Sequence, residues 1–180
     1  MGNGKTTVDD ISLILKDMKE EYWRGISEEE EQRGDTLECV TFEIGGEVYA
    51  FETRFASEVL RLPKLIRLPR VQEVIAGVFN LRGDVTAAID IRPLLGLPSP
   101  ELNSRARIVV VKASRFTTGI IVEQVKGVEP LPMDNFEPVV KSLSTQQKEL
   151  IRGQFAMADG LVMLIDMPKL LESPAILVDI

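Results

Sequence analysis

GVFNLRGDVTAAIDIRPLLGL, residues 77–97, occurs in this chain a second time in outline, and the repetition decides the fold. Laid over Ile151–Leu171 at an offset of 76, the stretch Ile75–Leu95 keeps seven identities in 21 positions. They are Ile75/Ile151, Gly77/Gly153, Phe79/Phe155, Ile89/Ile165, Asp90/Asp166, Leu94/Leu170 and Leu95/Leu171. Leu81 with Met157, Val85 with Leu161, Ala87 with Met163 and Ile91 with Met167 are apolar matches besides. Each copy reads as a strand, a turn, a second strand and a short helix. In the first, Val78–Leu81 is followed by Arg82-Gly83 and Val85–Ile91. Leu94-Leu95 follows Asp90 and stops at Gly96. In the second, Asp159-Gly160 joins Ile151–Met157 to Leu161–Ile165, and Ser144 with Gln147 forms a capping box before them.

Upstream of each copy lies another hairpin. Val40, Phe42 and Ile44 alternate with polar residues, Gly45-Gly46 turns, and Val48–Phe51 returns. Ile108–Val111, a turn at Ser114-Arg115 and Thr118–Val122 repeat this at an offset of 69, with Ala50 over Gly119. The two offsets differ by seven residues, which predicts an insertion in the proline-rich stretch 130–138, read as irregular. A short helical piece is expected at Val71–Ala76. A tandem repeat of this size is one fold unit used twice. About five short strands per unit, with close turns, predict a small barrel, whose closure hides strand edges. The units are expected at about 37–98 and 105–171, with Pro98–Arg105 as connector. A groove between them, apolar and without catalytic groups, suits protein binding more than turnover.

Composition narrows the chemistry. The chain of 180 residues contains no histidine and one cysteine, Cys39. The commonest general base and metal ligand are therefore missing, and zinc sites and cysteine–histidine catalysis are excluded. No apolar run approaches a membrane span, and the N-terminus has no signal core. The expectation is a cytosolic protein. The net charge of −7 is uneven: residues 1–38 hold eleven acidic and five basic side chains, while the remainder is within one unit of neutral. No basic stripe long enough to neutralise a phosphate backbone exists, so nucleic acid is not an expected partner. Ile11, Ile14, Leu15, Met18 and Tyr22 mark one face of an N-terminal amphipathic helix, which packs on the barrels or docks in a partner's groove. Glu28–Glu31 reads as a solvated linker. GNGKTT at residues 2–7 lacks the first glycine and the preceding strand of a phosphate loop and is set aside.

The stretch 77–97 resembles the signature of CheW-like chemotaxis coupling domains: Gly-Val-x-Asn-Leu-Arg-Gly-x-Val, then Asp-apolar-Arg and Leu-Gly. CVTFEIGGEVYAF (39–51), ASEVLRL (56–62) and TTGIIVEQVKGV (117–128) resemble further family segments in order, so the likeness covers about residues 37–171. The chain departs from the family pattern at Ala56, at Thr86-Ala87-Ala88, and in its first 36 residues. The resemblance implies a mainly β fold of two tandem SH3-like five-stranded barrels related by a pseudo-twofold. It implies a non-enzymatic adaptor without cofactor or metal. Its partners would be the regulatory domain of a chemotaxis histidine kinase and the cytoplasmic tips of methyl-accepting chemoreceptors, to whose membrane arrays it would be recruited without inserting in the bilayer. An adaptor of a related non-chemotaxis sensory pathway is the same-class alternative, and a small-barrel flavin enzyme the alternative of another class.

Carried over residue by residue, the resemblance implies receptor contacts at Ala56, Glu58, Val59, Gly77 and Arg82, and kinase contacts around Gly119, Val122 and Val125. Each has a plainer reading. Arg82 at a hairpin tip is also what a solvated turn residue looks like. Gly77 and Gly153 also fit a backbone needing positive φ or close approach. Asp90 and Asp166, each before a short helix with proline in its first turn (Pro93, Pro168), read as helix N-caps and not as a catalytic carboxylate pair.

Overall fold

Val40, Phe42 and Ile44 point one way from strand β1 (Thr36–Ile44), Cys39 and Thr41 point the other, and all five are buried. A strand buried on both faces has a core on each side, and that is how the molecule is organised. The computed structural model describes residues 16–21, 24, 34–138, 141 and 143–177. The chain divides into two compact units, Met1–Thr36 and Leu37–Ile180. In the first, residues 16–21 and 24 are helical; the rest of the expected amphipathic helix and the Glu28–Glu31 run lie outside the described residues.

The second unit is mainly β. After β1 come β2 (Glu47–Glu52), β3 (Ala56–Arg61), β4 (Ile75–Leu81), β5 (Asp84–Ile89), β6 (Arg107–Lys112), β7 (Thr117–Val122), β8 (Gln124–Pro132), β9 (Phe136–Pro138), β10 (Ile151–Met157) and β11 (Gly160–Ile165). They form a six-stranded sheet in the order β8-β1-β2-β11-β10-β9 and a five-stranded sheet in the order β3-β6-β7-β5-β4. Alternation then sorts the side chains. Cys39, Ala50, Leu131, Phe155, Val162 and Leu164 fill the inside of the first sheet. Phe79, Ala88, Ile108, Val110 and Ile121 fill the second. A third and larger cluster, with Phe42, Phe51, Ile89, Val109, Ile120, Val122, Met163 and Ile165 among its members, takes residues from both sheets and welds them together.

The repeat is real to the level of register. A bulge falls between Ile75 and Gly77 in one hairpin and between Ile151 and Gly153 in the other. The sheets are not, however, the contiguous lobes expected at 37–98 and 105–171. The hairpin β1–β2 joins β11 in parallel, with Tyr49 opposite Met163 and Ala50 opposite Leu164. The hairpin β6–β7 joins β5 in parallel at the equivalent residues, Thr118 opposite Ala87 and Gly119 opposite Ala88. Each half of the chain thus lends its leading hairpin to the other half's sheet. The physical reason is burial: both faces of these hairpins are apolar, and only the seat between the other half's hairpin and the shared core covers both.

Other local expectations are also revised. Residues 71–74 are irregular chain with a turn at 73–74 and not a helix, and β4 begins at Ile75. Pro130 and Pro132 lie inside β8, and Pro138 ends β9. Both are edge strands, where a missing N–H is tolerated. The bridge Ile66–Val78 is the counterpart of the pair Glu137–Gln154, an offset of 71, so five of the seven extra residues enter after Glu137, around the helix Thr145–Leu150. Ser144 and Gln147 do form a reciprocal capping box there. The second hairpin turns at Ala158-Asp159, with Gly160 already in β11.

Candidate functional site

Glu58 on β3 and Arg82 at the end of β4 meet where the five-stranded sheet closes on itself, with Val59 next along β3. β3 and β4 stand at the two ends of its strand order, and the Arg82 Nη2 donates to Glu58 Oε2 at 2.8 Å, closing the seam between them. A bulge between Ala56 and Glu58 interrupts the pairing of β3 with β6 beside this pair. Arg82 sits at φ 52° and Gly83 at φ 100° in the two-residue turn between Leu81 and Asp84, which Asn80 Oδ1 steadies by accepting from Gly83 N at 2.8 Å. Left-handed backbone suits glycine or asparagine; an arginine there is a strained choice, and such choices concentrate at functional sites. At the equivalent places of the second repeat stand Gly127 and Ala158, so this ion pair is made once in a structure that is otherwise built twice.

Of the other expected receptor contacts, Ala56 is half-buried and Val59 is 45% exposed. Gly77 is buried and offers no surface. A Cβ on it would lie 2.7 Å from the carbonyl oxygen of Ile66, and one on Gly153 would lie 2.5 Å from that of Glu137. The close-approach reading of these glycines is therefore correct, and Gly77 lets Leu65 and Ile66 lie on β4.

The second expected set is not brought to a surface. Gly119 and Val122 lie on β7, the central strand of the five-stranded sheet, and both are buried. A Cβ on Gly119 would meet Ile108 Cγ2 at 2.5 Å, and Val122 packs in the core between the sheets. The first repeat's sheet, and not a second lobe, holds Gly119. Val125 alone is partly exposed, on β8 at the edge of the six-stranded sheet.

Sequence reading passed over the exposed apolar residues. Val85 is 78% exposed, Leu161 54% and Val128 64%. Val85 and Leu161 are equivalent at the offset of 76, and Val59 and Val128 at the offset of 69. Each sheet thus shows solvent one valine on an edge strand and one aliphatic side chain at a hairpin end. The signal was available: both members of each pair are apolar where alternation faces water.

The buried polar groups are structural. Arg92 donates through Nε to Asp90 Oδ1 at 2.9 Å and through Nη2 to Asp90 Oδ2 at 2.7 Å, and through Nη1 to the Pro100 carbonyl at 3.0 Å. These bonds to Asp90 hold the guanidinium's pKa above its ordinary value against the desolvation that opposes it. The clamp pins the connector 98–105 to the first repeat. Asp166 does cap the helix Met167–Leu171, accepting from Lys169 N at 3.2 Å. Asp90 does not cap: it accepts from Arg92 N and spends both oxygens on Arg92, because position 92 holds an arginine where the second repeat has Pro168. Among the described residues no three potential ligands converge as a metal site requires, and no helix is long and apolar enough to cross a membrane.

Two interlocked β-sheets with apolar edges, an ion-paired seam and carboxylates spent on packing define a protein-docking scaffold. The profile of the CheW-like domain matches residues 38–175, and the chain belongs to that family. The chemotaxis protein CheW of Helicobacter pylori is 26% identical over 163 residues, covering 90% of this chain and 98% of its own. CheW of Klebsiella aerogenes is 26% identical over 142 residues, 78% of this chain and 86% of its own. Protein PilI of Pseudomonas aeruginosa is 29% identical over 116 residues, 64% of this chain and 65%, just under two thirds, of its own. The crystal structure of the scaffolding protein CheW from Thermoanaerobacter tengcongensis superposes with a TM-score of 0.68 at 24% identity, over 78% of this chain and 96% of that one, which shows the shared fold. The family consists of non-enzymatic scaffold proteins, and the flavin-enzyme alternative falls with that.

Proposed function

We propose that this chain couples the cytoplasmic tips of chemoreceptors to the regulatory domain of a histidine kinase. The observation that carries the proposal is the Glu58–Arg82 pair. It sits beside exposed Val59, it is made in one repeat only, and it holds an arginine in a backbone conformation that costs about 1 kcal/mol or more for a residue with a Cβ. This face is the receptor surface, with Ala56 at its margin. The kinase surface is the edge of the six-stranded sheet, with Val125 and Val128 on β8 and Leu161 at the start of β11. A partner domain of the same architecture presents equivalent edges, so such units can stack end to end and extend into strings or rings. The likeness to PilI, a relative whose name is not that of a chemotaxis protein, favours as second reading the same coupling role in a neighbouring sensory pathway.

The test is a pair of titrations, receptor-tip fragment and kinase regulatory domain, against the intact protein and Arg82→Ala. The receptor affinity should fall by more than about 1 kcal/mol, as for a hot spot, while the kinase affinity holds. Intact protein that binds neither fragment would end the proposal.

A further inference from the structure

RLPKLIRLPR, residues 61–70, places four cations in ten positions with no carboxylate among them, in a body that is close to neutral. Arg61, Lys64, Arg67 and Arg70 are all exposed, and none forms an ion pair with another described residue. On the strand pair β3–β6, Arg61 stands directly opposite Arg107. Like charges in that position destabilise a sheet. Arg107 spends its Nη1 on the carbonyls of Ser104 and Ala106, which leaves the charge of both residues uncompensated.

Two apolar residues of the segment are also exposed, Ile66 at 64% and Leu68 at 41%, while Leu62 and Leu65 are half-buried against the sheet. Leu68, with Leu62 and Leu65, borders a depression of about 720 Å³ of mixed lining, in which Arg92 neutralises Asp90 and the carboxylates of Glu73 and Glu101 stand on the wall outside the strip. Ile66 exchanges backbone hydrogen bonds with Val78 on one side, and Leu65 and Arg67 have no backbone partner among the described residues on the other. Arg70 holds a left-handed backbone, φ 60°, immediately after Pro69, which turns the segment back after its last cation. The result is an extended strip with an open edge, a cation at every third position and aliphatic side chains between, along the rim of a hollow of mixed lining.

We infer that this strip docks an acidic segment of a partner protein, one that carries aliphatic side chains between its carboxylates. The cations steer and orient it, and Leu62, Leu65, Ile66 and Leu68 of the strip take its aliphatic side chains. A nucleic-acid or lipid polyanion would leave the aliphatic side chains between the cations unused, which favours a protein segment. This surface is separate in its chemistry from the Glu58–Arg82 face and does not depend on the receptor and kinase roles.

The experiment uses the full chain and a fluorescein-labelled peptide of repeating Glu-Leu-Glu-Gly, read by anisotropy at about 50 and about 200 mM salt. Binding should weaken with salt. Replacing Arg61, Lys64 and Arg67 by Gln, and Arg70 by Asn to keep its backbone conformation, should cost at least about tenfold in affinity. Ile66→Ser with Leu68→Ser should weaken binding while leaving its salt dependence unchanged, and Arg82→Ala should bind as the intact protein does. Should the fourfold variant melt early, Lys64→Glu carries the same test on one exposed side chain. The inference is overturned if the intact protein ignores the peptide, if the neutralised strip binds it equally well, or if poly-glutamate, a single-stranded oligonucleotide or anionic phospholipid vesicles bind as tightly as the Glu-Leu peptide.

Discussion

Arg82 and Glu58, 24 residues apart, meet at 2.8 Å across the only described gap in the five-stranded sheet's circuit, from the β4–β5 turn to the edge strand β3. The arginine side chain is 80% exposed and the carboxylate 21%. An exposed pair of this kind contributes between zero and about 1 kcal/mol, little more than the strain of its own backbone conformation. The pair is therefore poorly explained as a stabilising device and well explained as one that aims a guanidinium at a partner.

Arg82→Gly separates the two accounts. Glycine relieves the left-handed strain while it removes the ion pair, so the melting temperature should hold or rise, with a net change within about 1 kcal/mol. Receptor-fragment affinity should nevertheless fall by more than about 1 kcal/mol. A lowered melting point together with equal loss of receptor and kinase binding would make Arg82 a strut.

Gly77→Ala and Gly153→Ala should each destabilise by more than about 2 kcal/mol in chemical denaturation, because the obstructing atoms are backbone carbonyls that cannot step aside. Gly83→Ala meets nothing within 4 Å and bears only the strain of φ 100°, so about 1 kcal/mol is expected. Equal losses at all three positions would show that backbone freedom, and not close approach, sets the requirement.

What the sequence told and withheld follows a physical line. The repeat, the hairpins, the capping box and the αL Gly96 were legible because each depends on residues near one another in the chain. The exchange of hairpins was not, since alternation in Val40–Ile44 or Ile108–Val111 says that a strand has apolar faces and is silent on which distant strand covers them. Prolines 130, 132 and 138 suggested irregular chain because the rule against proline in strands holds for central strands, and edge status is a tertiary fact. Glu58 and Arg82, far apart in sequence, meet in an ion pair, and Val59 lies next to Glu58 on β3 with its side chain exposed. Gly119 and Val122 did not surface, because β7 proved central. Asp90 and Asp166, each between an isoleucine and a short helix ending in Leu-Leu, parted in role where Arg92 stands in place of Pro168.

Cys39 is wholly buried inside the six-stranded sheet, and burial, with Glu52 nearby, pushes its thiol up to about 12 from 9.0. The folded chain should resist thiol reagents at pH 8 and react only as it unfolds. Above about pH 9 the unfolded thiol ionises while the folded one keeps its proton, so unfolding releases a proton and stability falls between about 9 and 12. Cys39→Ala should flatten part of that alkaline slope in melting curves. Another part remains with Tyr49, whose phenol burial and the Glu47 contact also push upward.

The exchange of hairpins makes a prediction about cutting the chain. A fragment of residues 34–100 carries β1 to β5, yet β3 has lost β6, β1–β2 has lost β8 and β11, and β4–β5 has lost β7. No sheet larger than a hairpin survives in it, and an isolated hairpin is at best marginal in water. A fragment of residues 101–177 keeps β9-β10-β11 and the hairpin β6–β7 but lacks the first repeat's share of the core between the sheets, including Phe42, Phe51 and Ile89. Neither fragment alone should show a cooperative thermal transition by circular dichroism. Mixed, they should recover one, because both parallel joins, Tyr49–Met163 and Thr118–Ala87, form between fragments. Removing residues 1–34 instead leaves every strand in place, and a cooperative transition should persist. A cooperative melt of 34–100 by itself would mean that the first repeat folds as a contiguous lobe and that the exchange of hairpins is not needed for its stability.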